Sequence, residues 1–422
     1  MTINNKQHFP KGTVTTPISV KFAANDTPST VPVFKSKRGI KHIPYTDNSN
    51  GGKEDGYPIE LLQYKGSSSW HGAILKYIID QISGTGFEPL IDNTEFDEKT
   101  AAFLADLNGK GDSANVLLER WAFDKAVFNG VTSIDTWSAK WDMIKSVDHV
   151  AFSNIRCAPV NEFGEIDTFF YCWDWTQKKY LKQEIPAFSL SSIKTKAEEV
   201  AAALENDDTE KIVRIKNEVN SQLSRSIPYS PDNIYYPLPA YVACLSPIRA
   251  DIHSDIFGEN ILKNGLSAGV HVNLVGTYSD DEKAIEVENL QYNYTGSKNA
   301  GIPFVTFSTT KEAAVSVTPL KLDAKEDRYK AVNEATQQKI LSGHRVTSPL
   351  LMGIALAGTL GNRDELETAY NVFQKTVIQP MQANIVAWLN VKLKRNGMQL
   401  VKIGQLTLFD AIEEKETSEI TE

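Results

Sequence analysis

The sequence predicts an α+β chain. Three observations carry that expectation. Apolar residues recur at three- and four-residue steps over long stretches, short alternating runs cluster between residues 131 and 175, and a strand–helix–strand pattern sits between two further helices. The chain has 422 residues, enough for two or three domains, with 41% apolar and 23% charged residues, so it can bury a sizeable core.

Residues 1–55 are polar and broken by Pro10, Pro17, Pro28, Pro32 and Pro44, and the first thirty or so are expected to be an arm ordered only against a neighbour. Lys35, Lys37, Arg38 and Lys41 read as a solvated basic edge. From Gly56 the chain turns helical. Ser67-Ser68-Ser69 offers a cap for a helix carrying Ile74, Leu75, Ile78, Ile79 and Ile82, which ends at Gly84-Thr85-Gly86. Helices follow near 97–107 and at 115–128, the latter burying Leu118, Trp121, Ala122 and Val127 and stopping at Asn129-Gly130. Strands are expected at 131–137, 147–156 and 168–175. Residues 194–225 read as one or two polar helices in a solvent-facing insertion, with Val213, Ile215, Val219 and Leu223 as the later apolar anchors.

Residues 235–241 form an aromatic, proline-rich hinge. Ser246-Pro247 then opens a helix with Ile248, Ile252, Ile256 and Leu262 on one face. Asp251, Asp255 and Glu259 share another face; His253 lies well around the helix from them, so a solvated acidic face is expected rather than a metal site. A strand at 270–275, a helix capped by Ser279 and running through Tyr292, and a strand at 301–307 make a small module. The returning helix, 325–341, points Tyr329, Val332 and Ile340 inward. Counted from Pro319 it is about 34 Å long at ~1.5 Å per residue. It therefore matches the helix before the module and should lie antiparallel to it.

After Ser342-Gly343 comes a stretch rich in Gly, Ala and Leu, with Gly353, Gly358 and Gly361 spaced through it. Asn362 then caps a long helix running past Trp388, with Asp364 and Glu365 in its first turn. Leu366, Tyr370, Phe373, Val377, Met381, Ile385 and Trp388 form its buried stripe. Pro380 predicts a kink near Thr376-Val377. Residues 400–409 read as a strand or strand pair, and Glu413, Glu414, Glu416, Glu419 and Glu422 as a disordered acidic tail.

The net charge of −9 argues against a free nucleic-acid binder, but it suits a protein past which DNA must slide without sticking. Cys157, Cys172 and Cys244 show no paired spacing and read as buried thiols of a reducing cytoplasm. No apolar leader follows Met1, and the longest apolar run, around 349–357, is too short for a bilayer, so no membrane partner is expected. Lys110 has Leu104 where a phosphate-binding loop needs its first glycine. Gly84-Thr85-Gly86 lacks the third glycine of a dinucleotide site, the seven histidines make no metal motif, and no Gly-x-Ser-x-Gly elbow is present. No catalytic residue, metal or cofactor is expected, and the chain is not expected to be an enzyme.

Several of these segments together resemble the portal proteins of tailed double-stranded DNA bacteriophages. The resemblance rests on Pro349-Leu350-Leu351-Met352-Gly353 after a helix, the glycine-rich stretch, and Asn362-Arg363-Asp364-Glu365 opening a long helix that contains Gln379-Pro380. Upstream it rests on the helix that stops at Phe128-Asn129-Gly130 before strands leading into Val150-Ala151-Phe152, and on the small module between two helices. It implies a portal-type architecture: an arm (1–30), an α/β wing (31–240), a first stem helix (241–263), a small α/β clip (264–318), a second stem helix (319–343), a tunnel loop (344–363), a long kinked wing helix (364–396), and a short C-terminal segment with a reduced crown and acidic tail (397–422).

The resemblance further implies a ring of twelve copies at one capsid vertex of the virion, assembled in the host cytoplasm. Genomic double-stranded DNA would be packaged and later ejected through it, without sequence-specific contacts. Partners would be the terminase large subunit, the major capsid protein and scaffold, and a head–tail adaptor (connector) protein. The channel residues would be Met352, Gly353, Ile354, Ala355, Leu356, Ala357, Gly358, Thr359, Leu360 and Gly361, with Arg345 and Arg363 as the basic residues nearest DNA. The alternative is an intracellular structural adaptor or scaffold that binds only protein partners.

Overall fold

A computed structural model of the chain describes residues 34–35, 41–46, 54–177, 182–206, 220–231, 233–264, 271–294, 304–310, 325–353 and 363–406. It is an α+β structure. A short ribbon, β1 (Phe34–Lys35) with β2 (Lys41–His42), leads into helices that begin where the sequence supplies a cap. α1 (Tyr57–Ser67) and α2 (Ser69–Ser83) meet at Ser68, whose hydroxyl accepts from the His71 amide at 3.2 Å. Gly84, at φ +52, closes α2; a Cβ there would fall 2.0 Å from the Gly404 carbonyl oxygen, so only glycine fits. After β3 (Phe87–Pro89), α3 (Glu98–Ala105) is capped by Asp97. α4 (Ala114–Phe128) is capped by Ser113 and ended by Asn129 in the left-handed region.

α4 feeds two antiparallel sheets. β4 (Val131–Trp137) lies between β5 (Ile144–His149) and β9 (Ser221–Ser226) in one; β6 (Ile155–Cys157), β7 (Thr168–Tyr171) and β8 (Gln183–Pro186) form the other. The single strand expected at 147–156 is broken. Asp124 of α4 accepts from the Phe152 amide at 3.0 Å, and the Thr132 hydroxyl donates to the Val150 carbonyl, which turns the chain through a 3₁₀ turn into the second sheet. The strand expected to reach Trp175 stops at Tyr171. The Cys172 amide and the Trp175 indole both donate to the Asn154 carbonyl, at 3.1 and 2.8 Å, and draw the chain off the ladder.

Of the stretch 194–225, the start is helical as expected, but it is not wholly solvent-facing, and its end is a strand rather than a helix. α5 (Leu190–Glu205) buries Ile193, Val200 and Ala203, and β9 is a strand. β9 lacks an apolar signature because its polar side chains have buried partners. Trp137 Nε1 donates to Gln222 Oε1 at 3.2 Å, and Trp388 Nε1 to Ser224 Oγ at 2.7 Å. Val213, Ile215 and Val219 lie outside the described residues. The aromatic segment at 235–241 is anchored rather than hinged. The ring of Tyr236 stacks on Tyr45 at 4.2 Å, and the Tyr241 hydroxyl donates to the Val127 carbonyl at 2.9 Å.

α6 (Leu245–Asn264) leads out to the small module, made of β10 (His271–Val275), α7 (Asp280–Tyr294) and β11 (Phe304–Ser308), and α8 (Lys325–Gly343) returns from it. β10 and β11 pair in parallel across the α7 crossover. The expected capping box is present: Ser279 Oγ accepts from the Glu282 amide at 3.3 Å, and the Glu282 carboxylate accepts from the Ser279 amide at 2.8 Å. α6 and α8 are antiparallel. Cys244, just before α6, abuts Gly343, and Ser254 Oγ donates to Asn333 Oδ1 at 2.5 Å, ten residues forward along α6 and ten back along α8.

Two side-chain expectations on this pair fail. Val332 is 58% exposed rather than inward, and Asp251 is buried, accepting from Ser68 Oγ at 2.7 Å, rather than solvated. Ile248 and Ile340 are buried as expected, whereas the Leu262 and Tyr329 side chains and the start at 319–324 lie outside what is described.

The long helix is α9 (Arg363–Phe373), a π-helical turn at Gln374–Ile378, and α10 (Gln379–Arg395). Pro380 cannot donate to the Thr376 carbonyl four residues back, and the ladder widens into a π turn at that point, where the kink was expected. Tyr370, Phe373, Val377, Met381 and Ile385 are buried, with Leu366 and Trp388 packed at the edge of the same core. Asn362 lies outside the described residues. β12 (Val401–Ile403), shorter than the expected 400–409, pairs with β3 and closes the fold. No described helix is long and apolar enough to cross a membrane.

At Gly343 an added Cβ would stand 2.4 Å from both Cβ and Sγ of Cys244, where the two antiparallel helices meet. Gly343→Ala should therefore cost ~1–3 kcal/mol in urea unfolding. Gly66→Ala, which meets nothing within 4 Å, should not destabilise. Equal midpoints for the two variants would show that the helices are not in contact there.

Candidate functional site

The glycine-rich loop leaves from a root that the structure describes in detail. α8 ends in a Schellman arrangement: the Val346 amide donates to the Leu341 carbonyl and the Arg345 amide to the Ser342 carbonyl, both at 2.9 Å. Leu341 and Val346, the pair that accompanies this motif, are both buried. The left-handed position, usually glycine, is Arg345 at φ +58. A non-glycine residue held there costs ~1–2 kcal/mol, so the surroundings must hold it.

They do so through the long helix. Arg345 Nη1 reaches the Thr376 carbonyl at 3.4 Å, the oxygen to which Pro380 cannot donate. Thr347 Oγ1 donates to the Ala369 carbonyl at 2.9 Å. Ser348 then caps a 3₁₀ turn at Pro349–Met352, which buries Leu351 and ends at Gly353 with φ +75. Thr347 and Ala369, on either side of the stretch 354–362 that lies outside the described residues, are thus held side by side.

Of the expected channel residues, Met352 packs half-buried on the core and Gly353 closes the 3₁₀ turn. Ile354, Ala355, Leu356, Ala357, Gly358, Thr359, Leu360 and Gly361 lie outside the described residues. Arg345 and Arg363 are both exposed but are not one basic patch. Thr376, where Arg345 is tied, lies about 20 Å along the helix from Arg363 at ~1.5 Å per residue.

Sequence reasoning missed the polar groups beneath this root. Gln374 Nε2 donates to Gln81 Oε1 at 2.5 Å, and Gln382 Nε2 donates to the carbonyls of Gln81 and Ile82, each at 3.1 Å. These amides hold the π turn against the end of α2. Their signal was glutamine eight residues apart within an otherwise apolar stripe. A second missed group is a histidine pair between α2 and the end of α8. His71 Nδ1 lies 2.9 Å from His344 Nε2, and Tyr241 packs against both rings.

Other clusters of titratable groups are already compensated. His42, Glu54 and Asp55 place ligand-type atoms within 4.8 Å of one another. Asp55, however, already accepts from Arg156 Nε at 2.6 Å and His42 Nε2 at 2.7 Å. Burial alone would raise its carboxyl; these partners instead hold it down at about 2. The guanidinium in contact matches the charge of Asp55, which leaves Glu54, exposed at the edge, as the one carboxylate of the three without a cation beside it among the described residues. Asp124 pairs with His149 at 2.9 Å, and Ser153, on the same cleft wall, donates to Asn154 instead of His149, so the three do not form a nucleophilic triad.

No protein-family model and no curated protein matches the sequence. Solved structures do match in fold. A chain of the virion of a native gene transfer agent (GTA) particle aligns over 82% of this chain and 83% of its own, at 12% identity and a TM-score of 0.50. A chain from the neck of the native GTA particle, computed with C12 symmetry, aligns over 86% and 85%, at 11% identity and a TM-score of 0.50. The HK97 family phage portal protein from Corynebacterium diphtheriae aligns over 82% and 90% at 10% identity, but its TM-score of 0.36 is too low to add to the other two. The chain thus shares its fold with a virion and neck protein, and the resemblance read from the sequence is met at the level of fold.

Burial holds His71 down at about 3, against an ordinary 6.5, with the Lys65 charge adding to it, and holds His344 well below its ordinary value. Between those limits the unfolded chain binds protons that the folded chain refuses, so stability must fall as pH falls from 6.5 toward 3. Urea midpoints should therefore drop between pH 7 and pH 4.5, above the range in which Asp55 titrates, and His71→Gln should flatten the drop. Buried Asp124 and Asp251, whose carboxyls burial pushes up, act in the opposite sense, so the comparison with the variant decides: the same pH dependence in His71→Gln as in the parent would rule out a neutral buried pair.

Proposed function

We propose that the chain is a portal protein: a ring-forming subunit whose central channel passes double-stranded DNA during packaging and ejection, at one vertex of a capsid. The observation that carries this reading is the antiparallel pair α6 and α8, in register through Cys244–Gly343 and Ser254–Asn333, carrying a parallel strand–helix–strand module at its far end. The pair reads as the stem and the module as the clip, with 344–363 as the tunnel loop above the stem. The shared fold with a neck chain computed with C12 symmetry supports a ring of twelve.

Exposed apolar residues support the same reading. Ile256 and Val332 on the helix pair, and Val275 and Ile285 on the module, are exposed among the described residues, as expected of surfaces that neighbouring copies cover. The work of such a protein is geometric. A loop whose ends are fixed narrows the channel, Arg345 and Arg363 stand at its flanks, and the acidic net charge keeps phosphate from adhering. The module faces the terminase and later the head–tail adaptor, while the outer surface faces capsid protein and scaffold. No catalytic step belongs to it.

Negative-stain images of the purified protein test this directly. Rings with a central hole and twelve-fold averages are expected. A protein that stays monomeric at high concentration would overturn the proposal.

A further inference from the structure

A cavity of about 260 Å³ opens between β7, β9 and the segments 160–166 and 187–188. Its wall is apolar, with Val160, Ile166, Phe169, Phe188, Leu223 and Ile234 around the space. Arg225 is the one ionised side chain in the lining. Its guanidinium stands 5.2 Å from the centroid of the Phe169 ring. Nη1 donates to the Tyr235 carbonyl and, at 3.3 Å, to Cys157 Sγ, and Nη2 donates to the Ile234 carbonyl at 3.2 Å. None of these acceptors is charged, since burial pushes the Cys157 thiol up. Among the described residues no carboxylate pairs with Arg225, and nothing accepts from its Nε–H or from the second Nη2 hydrogen. Those two donors share one edge of the guanidinium.

An edge of two parallel N–H groups matches one carboxylate. Volume sets the rest of the ligand. An apolar cavity of ~150 Å³ takes one benzene, so this one has room for a single ring and a carboxylate. Charge at the mouth narrows the choice. The turn at 161–165 carries Glu162 and Glu165, both exposed, and Asp167 beside it is held by Asn161 Nδ2 at 3.1 Å. These carboxylates repel a polyanion or an acidic segment, but a lone carboxylate reaches the guanidinium past them. Phe163, 86% exposed on the same turn, offers a ring to an apolar body at the entrance. We propose that the cavity binds a monocarboxylate, its charge on Arg225 and an apolar body of about one ring against Ile166, Phe169 and Leu223. A free organic acid and a protein chain that ends in an apolar residue share this chemistry. The proposal does not rest on the portal reading.

The test titrates the full chain with phenylacetate, with phenylacetamide and with a tripeptide ending in phenylalanine with a free carboxyl, followed by ligand-observed NMR. Saturable binding of the acid or the peptide is expected, with the amide roughly tenfold weaker or more. The tighter of the acid and the peptide tells which source the cavity serves. Arg225→Gln should weaken binding by a similar factor. Arg225 also holds the Ile234 and Tyr235 carbonyls, so a second variant leaves it in place. Ile234→Trp, at a half-exposed position in the lining, fills the mouth and should weaken binding roughly tenfold or more. Three results each overturn the proposal: no saturation by either acid or peptide, an amide that binds as tightly as the acid, or an Ile234→Trp variant that binds as the parent does.

Discussion

The ammonium of Lys392 lies fully inside the protein, 2.8 Å from Asp135 Oδ1 and 2.6 Å from Ser133 Oγ, above the Trp388 ring. Burial pushes the lysine down to about 8, and Asp135 opposes that. Two charges at such depth hold together only while each has the other, since either one alone would carry an unrepaid desolvation cost. α10 therefore cannot slide or rotate on β4 without separating them. The Trp388 bond to Ser224 and the Gln382 bonds to α2 fix the same helix from other sides.

From that fixed helix the functional geometry follows. Its position sets where Pro380 opens the ladder and where Thr376 presents its carbonyl. That carbonyl receives Arg345, which sits at the end of α8 in a conformation arginine seldom adopts. α8 in turn lies against α6 through Gly343. The α6–α8 pair, the residues that follow α8 and the long helix are thus one mechanical unit resting on the sheet.

Much of the frame was legible in the sequence. Ser68 and Ser279 announce helix starts because a hydroxyl there satisfies a free amide. The stripe from Leu366 to Trp388 and the kink before Pro380 follow from helical period and proline chemistry. β9 was not legible, since Gln222 and Ser224 are buried by hydrogen bonds to two distant tryptophans rather than by apolarity. The break at Val150 depends on Asp124, more than twenty residues earlier. At the loop, the motif showed a loop between two helices but not what holds its root: arginine occupies a glycine position and is kept there by a carbonyl thirty-one residues away. Val332, assigned inward from spacing, is exposed, because period alone does not tell which part of a face meets the core.

The claim on which the rest depends is that the buried pair locks the long helix to the sheet. A double-mutant cycle in urea tests it, with Lys392→Met, Asp135→Leu and both together. Each single variant should lose ~3–5 kcal/mol by leaving one charge buried alone, and the double variant should recover most of that loss. Single losses that are small, or that simply add in the double variant, would show that the two groups do not act as a pair and that the long helix is held by something else.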